Sequence, residues 1–271
     1  MDKRPVITFE VKFDCRKTND SVYDFTAPMK EQIYLIKGKD KCAVIDNGMG
    51  IGSIKSEIDK LTSLPLIMID THGHPDHAGG NIEFDKCYLN FNDLPVYKEM
   101  VTKEYRINDI RKMFKDKGKI FEDNLLDYAE NIVNMNDKVV FDLGDRKLTG
   151  YLVPGHTLGS MVFYDDKDKI LFAGDSLTIR DTWLYLDYST SLKTYLESLY
   201  RLKFLNLDVK KVLTGHLPNV DDYSILDRKI HLVEDLVFRK AKGEKVQTFA
   251  GVGYRYENYN TSIIYNPDRI E

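Results

Sequence analysis

Three histidines and an aspartate, His72, His74, Asp76 and His77, fall within six residues of a 271-residue chain that has only six histidines in all. Imidazole nitrogens and carboxylate oxygens are the donors that zinc-like ions prefer, so a cluster of this density reads as a metal site ahead of a His-rich polar surface loop. Gly73 and Pro75 interrupt regular structure, and the apolar run Leu66, Ile67, Met68 and Ile69 just before them has the length of a buried strand. The expectation is a tight loop at a strand end, with its rings turned toward one point. The setting recurs: His156 follows Val153-Pro154-Gly155, His216 follows Leu213-Thr214-Gly215, and Asp175 follows the β-like run Ile170-Leu171-Phe172-Ala173-Gly174. Strand mouths are where α/β scaffolds place functional groups. His231 stands apart, inside a helical pattern with no partner nearby in sequence, and reads as a satisfied or exposed helix histidine.

The elements that must carry these groups alternate. Ile7, Phe9, Val11 and Phe13 have the period of a half-buried strand. Strands follow at 33–36 and 42–45, joined by a turn at Gly38-Lys39-Asp40, and Asp46-Asn47-Gly48 closes that segment. Ser53 offers an N-cap to a helix whose Ile54, Ile58 and Leu61 share one face, and Pro65 ends it. Asp93 and Pro95 mark a helix start in the charge-rich stretch 92–133, whose charges read mainly as a solvated helical face and which is also a candidate lid or recognition element. Strands resume at 138–141, 147–153, 161–164 and 169–172. The Asp165-Asp166-Lys167-Asp168 turn lacks the glycine and glutamate of a calcium loop. A helix at 191–205, a strand at 209–213, a long helix at 222–242 and a final pair of short strands around 247–249 and 262–265 complete the chain.

The pattern His-x-His-x-Asp-His at His72, His74, Asp76 and His77, followed in order by His156, Asp175 and His216, resembles the metallo-β-lactamase superfamily, along nearly the whole chain. That resemblance implies an α/β fold class, a four-layer αβ/βα sandwich of two mixed β-sheets flanked by helices. It implies one domain over 1–271, with a variable, mostly helical insertion at about 92–133. It also implies two divalent metal ions, Zn2+ first, with Fe or Mn as alternatives. His72, His74 and His156 would hold one ion, Asp76, His77 and His216 the other, and Asp175 would bridge them. A metal-bridging hydroxide, available near neutral pH, would attack a carbonyl carbon or a phosphorus. Asp76 has a second possible role as the catalytic residue that orients the nucleophile or moves its proton. Thr71, Asp70 and Thr157 are the expected partners of the imidazoles' other nitrogens. Trp183, Tyr185 and Tyr188, close behind Asp175, either wall a substrate pocket, with a tyrosine hydroxyl as oxyanion donor, or pack in the core.

Composition narrows the activity. Apolar content of 42% suffices for a core, and a net charge of −4 with mixed signs argues against nucleic acid as partner. No run is long enough to span a membrane, and no signal segment opens the chain. Cys15, Cys42 and Cys87 have no metal-type spacing, Cys42 reading as a small core residue, so a cytoplasmic protein is expected. The order of motifs is most similar to the glyoxalase II and lactonase-like hydrolases, although the stretch after His216 is too short for a glutathione-gripping helical domain. His74 and the lack of a flavin domain set aside the di-iron flavoprotein branch. The expected reaction is hydrolysis of an ester, thioester or lactone of a small molecule. The alternatives are a phosphodiesterase or β-lactam-like amidase on the same site, or a persulfide dioxygenase-like iron oxygenase using His72, His156 and Asp175. A non-catalytic binding module has no need of seven converging ligands. The oligomeric state is left open.

Overall fold

Strand Gln32–Lys37 shows how the sandwich is built. It is buried on both faces, and its side chains alternate between two separate cores. Tyr34 and Ile36 point into the space between two sheets, where they meet Phe163 and Phe172. Ile33 and Leu35 point the other way, against Ile54 and Ile58 of helix Ile54–Asp59. The computed structural model describes residues 10–216 and 222–271.

The first sheet orders its seven strands Asp14–Lys17, Val22–Thr26, Gln32–Lys37, Cys42–Ile45, Leu66–Ile69, Cys87–Leu89 and Ile132–Asn134. Pairing is antiparallel up to Cys42–Ile45 and parallel beyond it, because helical connections carry the chain back over the outer face. The second sheet runs Lys211–Leu213, Ile170–Phe172, Met161–Asp165, Lys147–Leu152 and Val140–Asp142. Its outer face, with Val162 and Leu171, is covered by helices Leu192–Phe204 and Ser224–Val237. Helix, sheet, sheet, helix is the expected layering.

A third sheet is added to it. Asp181–Leu184 pairs in parallel with Thr261–Tyr265, which continues antiparallel to Gly251–Asn258 and then Glu244–Thr248. Two of these four strands fall outside the expected terminal pair. Val252, Tyr254 and Tyr256 carry the alternation that marks the missed middle strand. Residues 10–13 are irregular rather than strand, so Val11 and Phe13 depart from expectation, while Ile7 and Phe9 lie outside the described residues. The long C-terminal helix covers Ser224–Val237, and its His231 is exposed beside the Tyr259 ring. The 92–133 stretch is helical over Leu94–Met100, Lys103–Phe114 and Lys119–Glu122, and its last residues join the first sheet.

Candidate metal centre

The histidine loop leaves strand Leu66–Ile69 and turns into a one-turn helix, Pro75–Ala78, with His74 at its N-cap. Pro75 therefore starts a helix rather than holding the segment in a loop. Proline tolerates this position because the first turn has no use for its missing N–H. The short helix turns Asp76 and His77 toward the ends of the second-sheet strands, where His156, Asp175 and His216 stand. Glycines allow the close approach. A Cβ on Gly215 would lie 2.4 Å from Asp175 Oδ1 and 2.5 Å from His77 Cε1, and Gly174 adopts φ +48° against Thr71. Gly215→Ala is thus expected to weaken metal binding by roughly 10–100-fold, the scale of a displaced supporting group. Calorimetric titration of the metal-free variant with Zn2+ measures it, and an unchanged affinity would refute the crowding.

The geometry gathers all seven residues. His72 Nε2 lies 3.1 Å from His74 Nδ1, which lies 2.8 Å from His156 Nε2. Zinc–nitrogen bonds of about 2.0–2.1 Å in a tetrahedron put neighbouring ligands about 3.4 Å apart, so these three rings already share a focus. Asp76, His77 and His216 form a second group, with Asp76 Oδ2 3.3 Å from His216 Nε2 and 3.6 Å from His77 Nε2. Asp175 reaches both groups. Its Oδ1 is 3.6 Å from His77 Nε2, and its Oδ2 is 3.5 Å from His216 Nε2 and 3.7 Å from His156 Nε2.

Electrostatics separates the two groups. Burial drives His74 down to about 3 and His72 well below the ordinary imidazole range, the neighbouring rings adding to both. These are neutral rings with lone pairs to give. At His216 burial pulls the same way, but Asp175 and Asp76 overcome it and lift the ring to about 10. His77 is raised likewise against burial, by Asp76, Asp175 and Asp46. Burial would raise Asp76 and Asp175 as well, yet His77 and His216 hold both below the ordinary carboxylate range. His77 Nε2 and Asp175 Oδ1, both turned into the cluster, are buried with no hydrogen-bond partner. Converging lone pairs, orphaned donor atoms and an uncompensated carboxylate field fit divalent cations.

The supporting bonds differ from expectation. Thr71 is the one predicted partner in contact with a ring, its Oγ1 3.0 Å from His72 Nδ1. The same hydroxyl donates to Asp46 Oδ2, so it accepts the imidazole N–H and leaves Nε2 free. Asp70 instead accepts from Asn47 and Asn81. Thr157 donates to Asp93 and touches no imidazole. Asp46, read from sequence only as part of the close of a sheet segment, takes their place: its Oδ2 lies 2.8 Å from His77 Nδ1 and its Oδ1 accepts the Thr71 N–H at 2.7 Å. Its position at the end of an apolar strand was the available signal. Asp93 was missed too. It accepts from Gly73 N, Thr157 Oγ1 and Gly159 N, and so bolts the first histidine loop to the loop of His156. His156 Nδ1 donates to the Trp183 carbonyl at 2.7 Å.

Five of the seven, His74, Asp76, His156, Asp175 and His216, line the floor of a cavity of about 720 Å³. Trp183, Tyr185 and Tyr188 all line it. Neither tyrosine hydroxyl is free for an oxyanion, because Tyr185 Oη bonds Thr248 Oγ1 and Tyr188 Oη donates to Glu99. They are walls. Glu31, which the sequence reading missed, also lines the cavity. It is buried with its carboxylate on the Met29 and Met49 N–H groups, and burial raises it to about 7.

Comparisons with known proteins agree with this geometry. The sequence profile described as metallo-beta-lactamase superfamily matches residues 28–216. The acyl-coenzyme A thioesterase MBLAC2 of Bos taurus is 28% identical over 241 residues, covering 82% of this chain and 84% of that protein. A hydroxyacylglutathione hydrolase of Serratia proteamaculans is 28% identical over 136 residues, 50% of this chain and 42% of that one. Among solved structures, a metallo-beta-lactamase from Pontibacter korlensis superposes with a TM-score of 0.61 at 18% identity, over 83% of this chain and 100% of that chain.

Proposed function

The chain belongs to the metallo-beta-lactamase superfamily and is a hydrolytic enzyme, and from that premise we propose that it is a two-metal hydrolase of small acyl thioesters. The observation that carries this reading is Asp175, placed between two complete ligand groups at the floor of one cavity. His72, His74 and His156 would hold one ion, Asp76, His77 and His216 the second, and Asp175 both, with Zn2+ as the favoured metal and Mn or Fe as substitutes. Ions held there supply an acidic water near neutral pH and a Lewis acid for the carbonyl oxygen. The chain does the rest. Asp76 and His216 are the most exposed members of the cluster, with side chains 30% and 38% exposed, so they face the substrate. Asp76, whose Oδ2 lies 3.3 Å from His216 Nε2 within the second group, would also orient the nucleophile. Asp46 and Thr71 fix the rings of His77 and His72, and the Trp183 carbonyl fixes that of His156.

The thioester rests on the relatives, whose printed names give acyl-coenzyme A and hydroxyacylglutathione as substrates, and on the apolar walls described below. The reading treats 1–271 as one domain whose 92–133 insertion walls the pocket, and with three unpaired cysteines it places the protein in the cytoplasm. Among the described residues no helix is long and apolar enough to cross a membrane.

Elemental analysis together with a panel of acyl-coenzyme A thioesters, p-nitrophenyl esters, lactones and phosphodiesters tests the reading. Two ions per chain and a preference for thioesters are expected. One tightly held iron, with no activity on zinc or manganese loading, would overturn it. Chelation is expected to abolish turnover and to lower the thermal midpoint. Binding at 100 times the dissociation constant contributes about 2.7 kcal/mol per site. Differential scanning fluorimetry with and without added Zn2+ reads the shift, and an unshifted midpoint would contradict a cation-held site.

A further inference from the structure

Three rings stand in a row on one wall of the cavity. Tyr185 and Trp183 have centroids 5.4 Å apart, and Trp183 and Phe249 5.5 Å apart. The middle ring, Trp183, adjoins the metal centre, since its carbonyl holds the His156 ring, and Phe249 ends the row at the cavity's lip. Phe249 sits in the turn between strands Glu244–Thr248 and Gly251–Asn258, in the part of the chain beyond the matched superfamily segment. Gly251, at φ +134°, lets that turn close, and the Tyr185 Oη–Thr248 Oγ1 bond pins it to the row. Phe249 and Val252 are each 49% exposed, side by side at the lip. Across the cavity the insertion contributes Met100, Tyr105 and Met113, interspersed with the charged Glu99, Asp109 and Lys112. An aromatic rail facing methionines is a slot with one stiff wall and one adaptable wall.

We propose that this slot binds a linear apolar acyl chain, and that Trp183 and Phe249 set the chain length the enzyme prefers; this rests on the thioester-hydrolase reading above. The carbonyl end lies over the cluster, and the chain runs outward past Trp183 to Phe249, with Tyr185 flanking Trp183, covering the apolar surface that Phe249 and Val252 leave open. A cavity of about 720 Å³ holds far more than an acetyl group. The specificity element is thus the C-terminal hairpin, which the added third sheet carries, together with the insertion opposite.

The test compares acetyl-, hexanoyl- and decanoyl-coenzyme A on the zinc-loaded protein. In wild type kcat/KM should rise about threefold per added methylene until the slot is full. In Phe249→Ala the rise should flatten, the decanoyl value falling about tenfold more than the acetyl value. Phe249 is half-exposed in a turn, so the variant is expected to fold. A second readout needs no turnover. Trp183 is the chain's one tryptophan, so sodium decanoate, kept below micelle formation, should shift its emission to the blue, and sodium acetate should not. Equal kcat/KM across chain lengths, or a Phe249→Ala loss equal for all three, overturns the slot while leaving the hydrolase reading standing. A decanoate-specific Trp183 response with no thioester cleaved upholds the slot and removes the hydrolase reading instead. No Trp183 response to decanoate overturns the slot.

Discussion

Asp175→Asn is expected to lower kcat/KM by about 10³-fold or more and to cut the zinc content from two ions per chain to one. Residues that act as a unit fail as a unit, so the loss should approach that of removing the whole second ion. The substitution keeps the side chain's size and removes its charge. Its oxygens lie 3.5–3.7 Å from ring nitrogens of His77, His156 and His216, and so reach members of both groups. The metal-free protein offers an independent check. There His216, lifted to about 10 against burial by Asp175 and Asp76, holds its proton far above the ordinary range. A raised histidine contributes its stabilisation in full below the unfolded value, near 6.5, and loses it as pH climbs through about 10. Asp175→Asn should move that loss to lower pH, which imidazole NMR titration of the metal-free chain reads directly. Two ions retained, with kcat/KM within tenfold of wild type, would end the case for Asp175 as the shared ligand.

The seven clustered residues were legible because each sits in a short local signal: a histidine or aspartate at the mouth of an apolar run, five of the seven next to a glycine. The fold class was legible for a related reason, since buried strands such as Cys42–Ile45 and Ile170–Phe172 are continuous apolar segments set between helical patterns. What supports the ligands was less visible. Asp46 had the same strand-end setting as Asp175, but Asn47 and Gly48 after it made the close of a sheet segment the natural reading. Thr157 stands next to a ligand in sequence and still turns to Asp93, because adjacency along the chain does not fix side-chain direction at a loop. Asp93 meets Gly159 across 66 positions of sequence, a partnership no local pattern encodes. The hairpin carrying Phe249 was half visible. Its middle strand alternates, but Gly251 and Gly253 dilute the apolar signal over the residues that approach the cavity.

Arg106→Met is expected to be the most destabilising single change in the insertion, costing about 3–5 kcal/mol and lowering the thermal midpoint by about 6–12 °C. In sequence Arg106 is one charge among many on the 92–133 stretch, whose charges read mainly as a solvated helical face. In the fold it is fully buried and makes no carboxylate contact among the described residues. Its Nη1 donates to the carbonyls of Met49 and Gly79, and its Nη2 to that of Leu126, each at 2.9 Å. Burial lowers it only to about 10, so the guanidinium stays charged at neutral pH. Methionine would fill most of the space and leave two buried carbonyls and one half-buried one without their donor. Arg106→Lys keeps the charge but not the fork, and should fall between the two. The consequence extends to the substrate. Gly79 closes the one-turn helix that carries Asp76 and His77, while helix Lys103–Phe114 carries Tyr105 and Met113 into the cavity. Arg106 therefore ties the adaptable wall of the slot to the metal loop. In Arg106→Lys, KM for decanoyl-coenzyme A should rise more than kcat falls, because the wall moves and the ligands keep their own bonds to Asp46, Thr71 and the Trp183 carbonyl. Thermal melts beside steady-state kinetics decide the matter, and a midpoint within about 2 °C of wild type in Arg106→Met would show that the insertion is held in place by its apolar contacts alone.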